Sequence, residues 1–161
     1  MTLRTVAIAA SLVALATPAL AIDVERSVEV KATPEKVWAT IGAFCGIGDW
    51  HPAVEKCSLS DEAGVPTRTL TLAGGGGTLV EAEVSRDDKA MAYTYKIVDG
   101  PLPVENYSST ISVKEGDEDG ESEISWKGTF DAKGAPDDKA TEVVAGIYES
   151  GLAALKEKSA Q

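Results

Sequence analysis

A change of period near residue 137 most constrains what this chain can fold into. Upstream of it, residues 54–60, 66–73, 78–86, 91–98, 104–114 and 121–131 form six short segments with alternating apolar residues, the pattern of half-buried strands. Turn signals separate them: Glu62-Ala63-Gly64, the glycines 74–77, Asp87-Asp88, Asp99-Gly100-Pro101 and the acidic, glycine-bounded stretch 116–120. Links this short favour antiparallel pairing of neighbours, hence a meander. From Asp137 onward, Val143, Val144, Ile147, Tyr148, Leu152 and Leu155 recur at helical spacing, with Glu142, Glu149, Lys156 and Lys158 for the wet side. A long amphipathic helix that follows a meander must lay its stripe on something, and the concave face of a curved sheet is the natural target.

The beginning of the chain adds one strand and a helical insert. Val24, Arg26, Val28 and Val30 alternate with Asp23, Glu25, Ser27 and Glu29, as in a half-buried strand. Thr33-Pro34-Glu35 then reads as a helix start, with Thr as N-cap and Pro in the first turn. Val37, Trp38 and Ile41 continue one apolar stripe, which puts Trp38 in the core. Gly46, Gly48 and Pro52 break it into a turn or short second helix.

Residues 1–21 have the form of a secretory signal: Arg4, an apolar run, and Ala19-Leu20-Ala21 as cleavage site. Cleavage after Ala21 leaves residues 22–161 as a single domain in the periplasm or outside the cell, and the apolar run is too short for a stable membrane span. The mature chain carries 14 basic residues against 26 acidic ones. Such a charge repels nucleic acid and anionic headgroups and suits a basic periplasmic protein as partner. Cys45 and Cys57 flank Trp50-His51-Pro52, and in an exported chain they are expected to form a disulfide worth about 3 kcal/mol. The other possibility, a metal or redox site shared with His51, lacks a fourth ligand nearby. No metal and no cofactor are expected, and nothing in the pattern forces association beyond a monomer.

Taken together, the order β, αα, six β, long α and several local runs carry a family resemblance. The runs are Val37-Trp38, Phe44 and Trp50-His51-Pro52; Arg68-Thr69-Leu70; Leu79-Val80-Glu81; Tyr93 and Tyr95; Pro101-Leu102-Pro103-Val104-Glu105-Asn106-Tyr107; and Ser125-Trp126. The mature chain resembles the START/Bet v 1-like (SRPBCC) superfamily, in its polyketide cyclase/dehydrase and lipid-transport branch. The resemblance implies an α+β helix-grip fold, a curved antiparallel sheet of about seven strands around the long C-terminal helix. It also implies a cavity between them for a small hydrophobic or amphipathic molecule. Being exported, the chain is similar as well to MxaD-like periplasmic proteins, associated with methanol oxidation, which implies docking to a periplasmic dehydrogenase or cytochrome.

Strand alternation selects the cavity wall. Arg68, Leu70 and Leu72 share a face, as do Leu79, Glu81 and Glu83; Met91, Tyr93, Tyr95 and Ile97; Tyr107, Ser109, Ile111 and Val113; and Ile124, Trp126, Gly128 and Phe130. Mostly apolar faces with few polar groups suit a small-molecule pocket. The candidate ligand contacts are Trp50, His51, Arg68, Glu81, Tyr93, Tyr95, Tyr107 and Trp126. Arg68 and Glu81 lie on consecutive strands and are placed to pair, either to orient a ligand or to set strand register. His51, the sole histidine, is the candidate catalytic residue of a cyclase, dehydratase or isomerase, with a tyrosine as proton partner. The alternative is a turn-capping or ligand-gating role. The four glycines precede neither Gly-Lys-Ser/Thr nor a helix, so they read as a mobile hairpin tip rather than a phosphate cradle. The acidic run 115–121 has Trp126 where a calcium loop needs its closing acid, and reads as a solvated turn.

Overall fold

The computed structural model describes residues 21–159. The expected signal segment therefore lies outside the described residues, apart from Ala21. The elements run β1 (Ile22–Val30), α1 (Pro34–Ile41), α2 (Ile47–Trp50), β2 (Val54–Glu62), β3 (Val65–Leu72), β4 (Thr78–Asp87), β5 (Ala92–Asp99), β6 (Val104–Glu115), β7 (Ser122–Ala132) and α3 (Asp137–Ser159). All seven strands join one antiparallel sheet in the order β1-β7-β6-β5-β4-β3-β2. The meander accounts for β2 to β7, and the first strand closes beside the last. With a long helix across the inner face, this is the helix-grip fold.

The ends of the elements follow local chemistry. Thr33 stands at the N-cap of α1 in extended conformation, with Pro34 first in the helix, but the Thr33 side chain makes no capping bond. Trp38 is only half-buried, leaning on Tyr93 at 6.1 Å between ring centroids. Ala63 and Gly64 both have positive φ and form the two-residue turn between β2 and β3, the geometry that matches strand twist. Met91, expected within a strand, instead sits just before β5 with φ +50°. The glycine run opens with a 3-10 turn over Ala73–Gly75, and at its end the Gly77 carbonyl accepts from the Leu72 N–H at 2.9 Å.

One departure from alternation changes the inner face. Glu83 opposes Tyr95 and Ser85 opposes Thr94, leaving Val84 as the extra residue of a bulge. Val84 is exposed, and Arg86 is turned to the Tyr93 side of the sheet, where strict alternation from Glu81 would not put it. There it bonds Glu83 and the Gly42 carbonyl.

The C-terminal helix divides its stripe. Val144, Tyr148, Gly151, Leu152 and Leu155 are buried. Val143 and Ile147 are not fully covered, and both line the space described next. The Cys45–Cys57 disulfide, with Cα atoms 5.6 Å apart, ties the turn between α1 and α2 to the edge strand β2.

Candidate ligand-binding site

A cavity of about 300 Å³ lies between the inner face of the sheet and the N-terminal half of α3. The helix supplies Val143, Val144, Ile147 and Tyr148 to its wall. The strands supply Leu70, Leu79 and Ile97 among others, and Ala73, Gly76 and Leu102 close it from the β3–β4 and β5–β6 loops. The volume is at the lower end for ligand pockets, room for about ten water-sized groups.

Of the candidate residues, His51, Glu81, Tyr95, Tyr107 and Trp126 reach the cavity wall. Trp50, Arg68 and Tyr93 are buried outside it. Trp50 packs on His51 and Trp126, at 5.5 and 5.8 Å between ring centroids.

His51 follows α2, and its ring reaches from the Trp50-His51-Pro52 turn to the long helix. The Ala53 N–H donates to Nδ1 at 3.1 Å, and Nε2 lies 3.0 Å from the Ile147 carbonyl. Since Nδ1 accepts, it carries no proton; Nε2 must hold the proton and donate it. Both nitrogens are therefore committed in the neutral ring. Gly151 makes this approach possible, because a Cβ there would lie 2.6 Å from His51 Cδ2 and 2.8 Å from the Trp126 ring. Burial lowers the His51 pKa, the Ile147 bond opposes that shift, and the Arg68 charge adds to it.

A pH dependence follows with a definite sign. The unfolded chain protonates His51 more readily than the folded chain, so this contribution to stability is complete above pH 6.5. It declines as pH falls from 6.5 toward the lowered folded value, by at most about 1.4 kcal/mol per pH unit. Urea unfolding of wild type and His51→Gln between pH 7.5 and 5.5 checks this: the wild type should lose stability more steeply. Parallel profiles would contradict it.

The pair expected from strand order is present. Arg68 opposes Glu81 in the β3–β4 register, and its Nε donates to Glu81 Oε2 at 2.7 Å. Nη1 donates to the Phe44 carbonyl at 2.5 Å. The guanidinium also stands 4.2 Å from the Phe44 ring centroid and 4.8 Å from that of Tyr95. Arg68 is wholly buried, and Nη2 has no partner among the described residues. Burial pushes the Glu81 carboxyl up while Arg68 pulls it back. The Glu81 charge in turn holds Arg68 protonated.

Sequence reasoning left out a hydroxyl chain. Tyr107 and Tyr148 hydroxyls are 2.6 Å apart, Tyr148 and Ser109 2.9 Å apart, and Ser109 donates to the Lys127 carbonyl at 2.9 Å. Trp126 stacks on Tyr148 at 4.6 Å and donates through Nε1 to the Tyr95 hydroxyl at 3.0 Å. Burial pushes Tyr95 and Tyr107 well up and Tyr148 to about 12. All three phenols are thus protonated at neutral pH. Tyr148 hid within the apolar stripe of the helix; the one available signal was a phenol at a position whose neighbours in the stripe are aliphatic.

A family model described as polyketide cyclase/dehydrase and lipid transport matches residues 21–160. An uncharacterized protein from Bacillus thuringiensis has 38% identity and a TM-score of 0.82, over 87% of this chain and 100% of that one. The protein XoxI from Bacillus cereus has 37% identity and a TM-score of 0.81, over 86% and 96%. The Zhui aromatase/cyclase from a Streptomyces species has 19% identity and a TM-score of 0.70, over 88% and 94%, and so shares the fold. No curated protein matches the chain. With the family match spanning the described domain, the chain belongs to the polyketide cyclase/dehydrase and lipid transport family.

Proposed function

We propose that the chain is an exported protein that binds a small, mostly apolar molecule between its sheet and C-terminal helix without transforming it. The observation that carries this reading is a largely aliphatic and aromatic cavity whose histidine is occupied at both nitrogens. A general acid or base needs a nitrogen within reach of the substrate, and His51 must give up a structural bond to offer one. The cyclase or dehydratase reading with His51 and a tyrosine is therefore the weaker one. Export is supported by the form of residues 1–21 and by the disulfide, a bond of oxidising compartments.

The acidic charge supports a second reading, an accessory protein docking a basic periplasmic dehydrogenase or cytochrome. Native mass spectrometry of protein purified from the periplasm without detergent separates the two. The binding reading expects a chain that starts at Ile22 and is two hydrogens lighter than the reduced form. It also expects a defined extra mass, released on denaturation. A bare chain that co-purifies with a basic protein and loses it in salt would favour docking instead.

A further inference from the structure

The hydrogen bonds around the cavity have forced directions, and these directions select a ligand class. Ser109 has one hydroxyl proton and gives it to the Lys127 carbonyl, which can only accept. Tyr148 must therefore donate to Ser109, and Tyr107 must donate to Tyr148. Tyr107 lines the cavity, and its oxygen, having spent its proton on Tyr148, is left with acceptor capacity alone. Tyr95 runs the other way. Its oxygen already accepts from Trp126 Nε1, and its own proton has no acceptor among the described residues. Glu81 adds a second acceptor: Oε2 is taken by Arg68, while Oε1 has no partner among the described residues, and the side chain lines the cavity although only 4% exposed.

The cavity thus offers one unused donor and two unused acceptors in otherwise apolar walls. We propose, resting on the binding reading above, that it selects a neutral apolar molecule bearing a hydroxyl group, an alcohol or phenol, over the corresponding carboxylate or bare hydrocarbon. A hydroxyl can accept from Tyr95 and donate to Glu81 or Tyr107, matching both polarities at once. A carboxylate has no proton to give and brings a second anion toward Glu81, the cavity-facing member of a pair that already sums to zero formal charge. The Arg68 charge is already engaged by Glu81 at 2.7 Å, so the pair presents no net cation to attract an incoming carboxylate. A hydrocarbon fills the space but leaves the Tyr95 proton and the Glu81 oxygen without partners, a penalty water no longer relieves.

Three probes of nearly equal shape test this at pH 7: naphthalene, 2-naphthol and 2-naphthoate, titrated calorimetrically into the mature disulfide-bonded protein. Binding of 2-naphthol at least tenfold tighter than either of the others is expected. In Tyr95→Phe the advantage over naphthalene should shrink to threefold or less, with naphthalene bound at least as tightly as by the wild type because the stranded phenol proton is gone. Since that substitution also deprives Trp126 of its acceptor, Tyr107→Phe is the second variant, expected to narrow the same ratio while leaving Trp126 and Tyr95 bonded. Equal binding of naphthol and naphthalene, or tighter binding of naphthoate, would overturn the selectivity and leave the binding reading intact. Failure of all three probes to bind would remove the reading on which it rests.

Discussion

Arg68→Ala is expected to lower the free energy of unfolding by about 3–5 kcal/mol, the usual consequence of stranding one member of a buried ion pair. Three losses coincide there. Glu81, itself 4% exposed, would keep a carboxylate without its countercharge. The Phe44 carbonyl would lose a charged donor, and the Phe44 and Tyr95 rings would lose the cation packed on them. The pair is not thereby a net source of stability, because bringing both charges out of water offsets much of their attraction. The double variant Arg68→Met with Glu81→Leu should accordingly be much less damaging than the single one, with the two effects strongly non-additive. Urea denaturation of the three variants measures this. A single variant within about 1 kcal/mol of wild type would mean that Glu81 is neutral or finds water, contrary to the arrangement described.

The pair also separates structure from recognition. If Arg68 and Glu81 only hold β3 and β4 in register, the double variant that still folds should bind 2-naphthol as the wild type does. If Glu81 Oε1 receives the ligand hydroxyl, that variant should retain naphthalene and lose the preference for naphthol.

Much of this architecture is legible because each element has a single period. Alternation from Tyr93 to Ile97 and from Ile124 to Phe130 places the aromatic residues on the inner face, and the register then brings Arg68 opposite Glu81. The bulge at Val84 is not legible, because one inserted residue leaves no trace in a segment that still alternates on either side of it. Arg86 consequently has no assigned face until the register is known. The cavity's position is hidden for a different reason. Val143 and Ile147 belong to the same stripe as Val144 and Tyr148, and only the tilt of α3 over the sheet decides which are sealed and which face space. The hydroxyl chain depends on that tilt too, joining Tyr107, Ser109 and Tyr148 from β6 and α3. His51 shows the limit most clearly. A lone histidine in the sequence is equally a proton donor, a metal ligand or a turn cap, and the choice is made by Ala53 and Ile147, the latter 96 residues away.

The second large effect concerns the cavity itself. Ile147 is half-buried, lines the cavity and contributes to His51 only through its carbonyl. Ile147→Trp can therefore place an indole in the space without removing a hydrogen bond and with part of the side chain free to adjust toward solvent. A tryptophan there extends an indole into the cavity of about 300 Å³, so ligand and indole compete for the same space, whereas filling a void leaves folding unharmed or improves it. The most direct test is calorimetric titration of naphthalene into wild type and Ile147→Trp, with thermal unfolding of both as control. One-to-one binding to the wild type, weakened at least tenfold in a variant of equal or higher melting temperature, is the expected result. Undiminished binding in the folded variant would place the ligand elsewhere and contradict the cavity as the binding site.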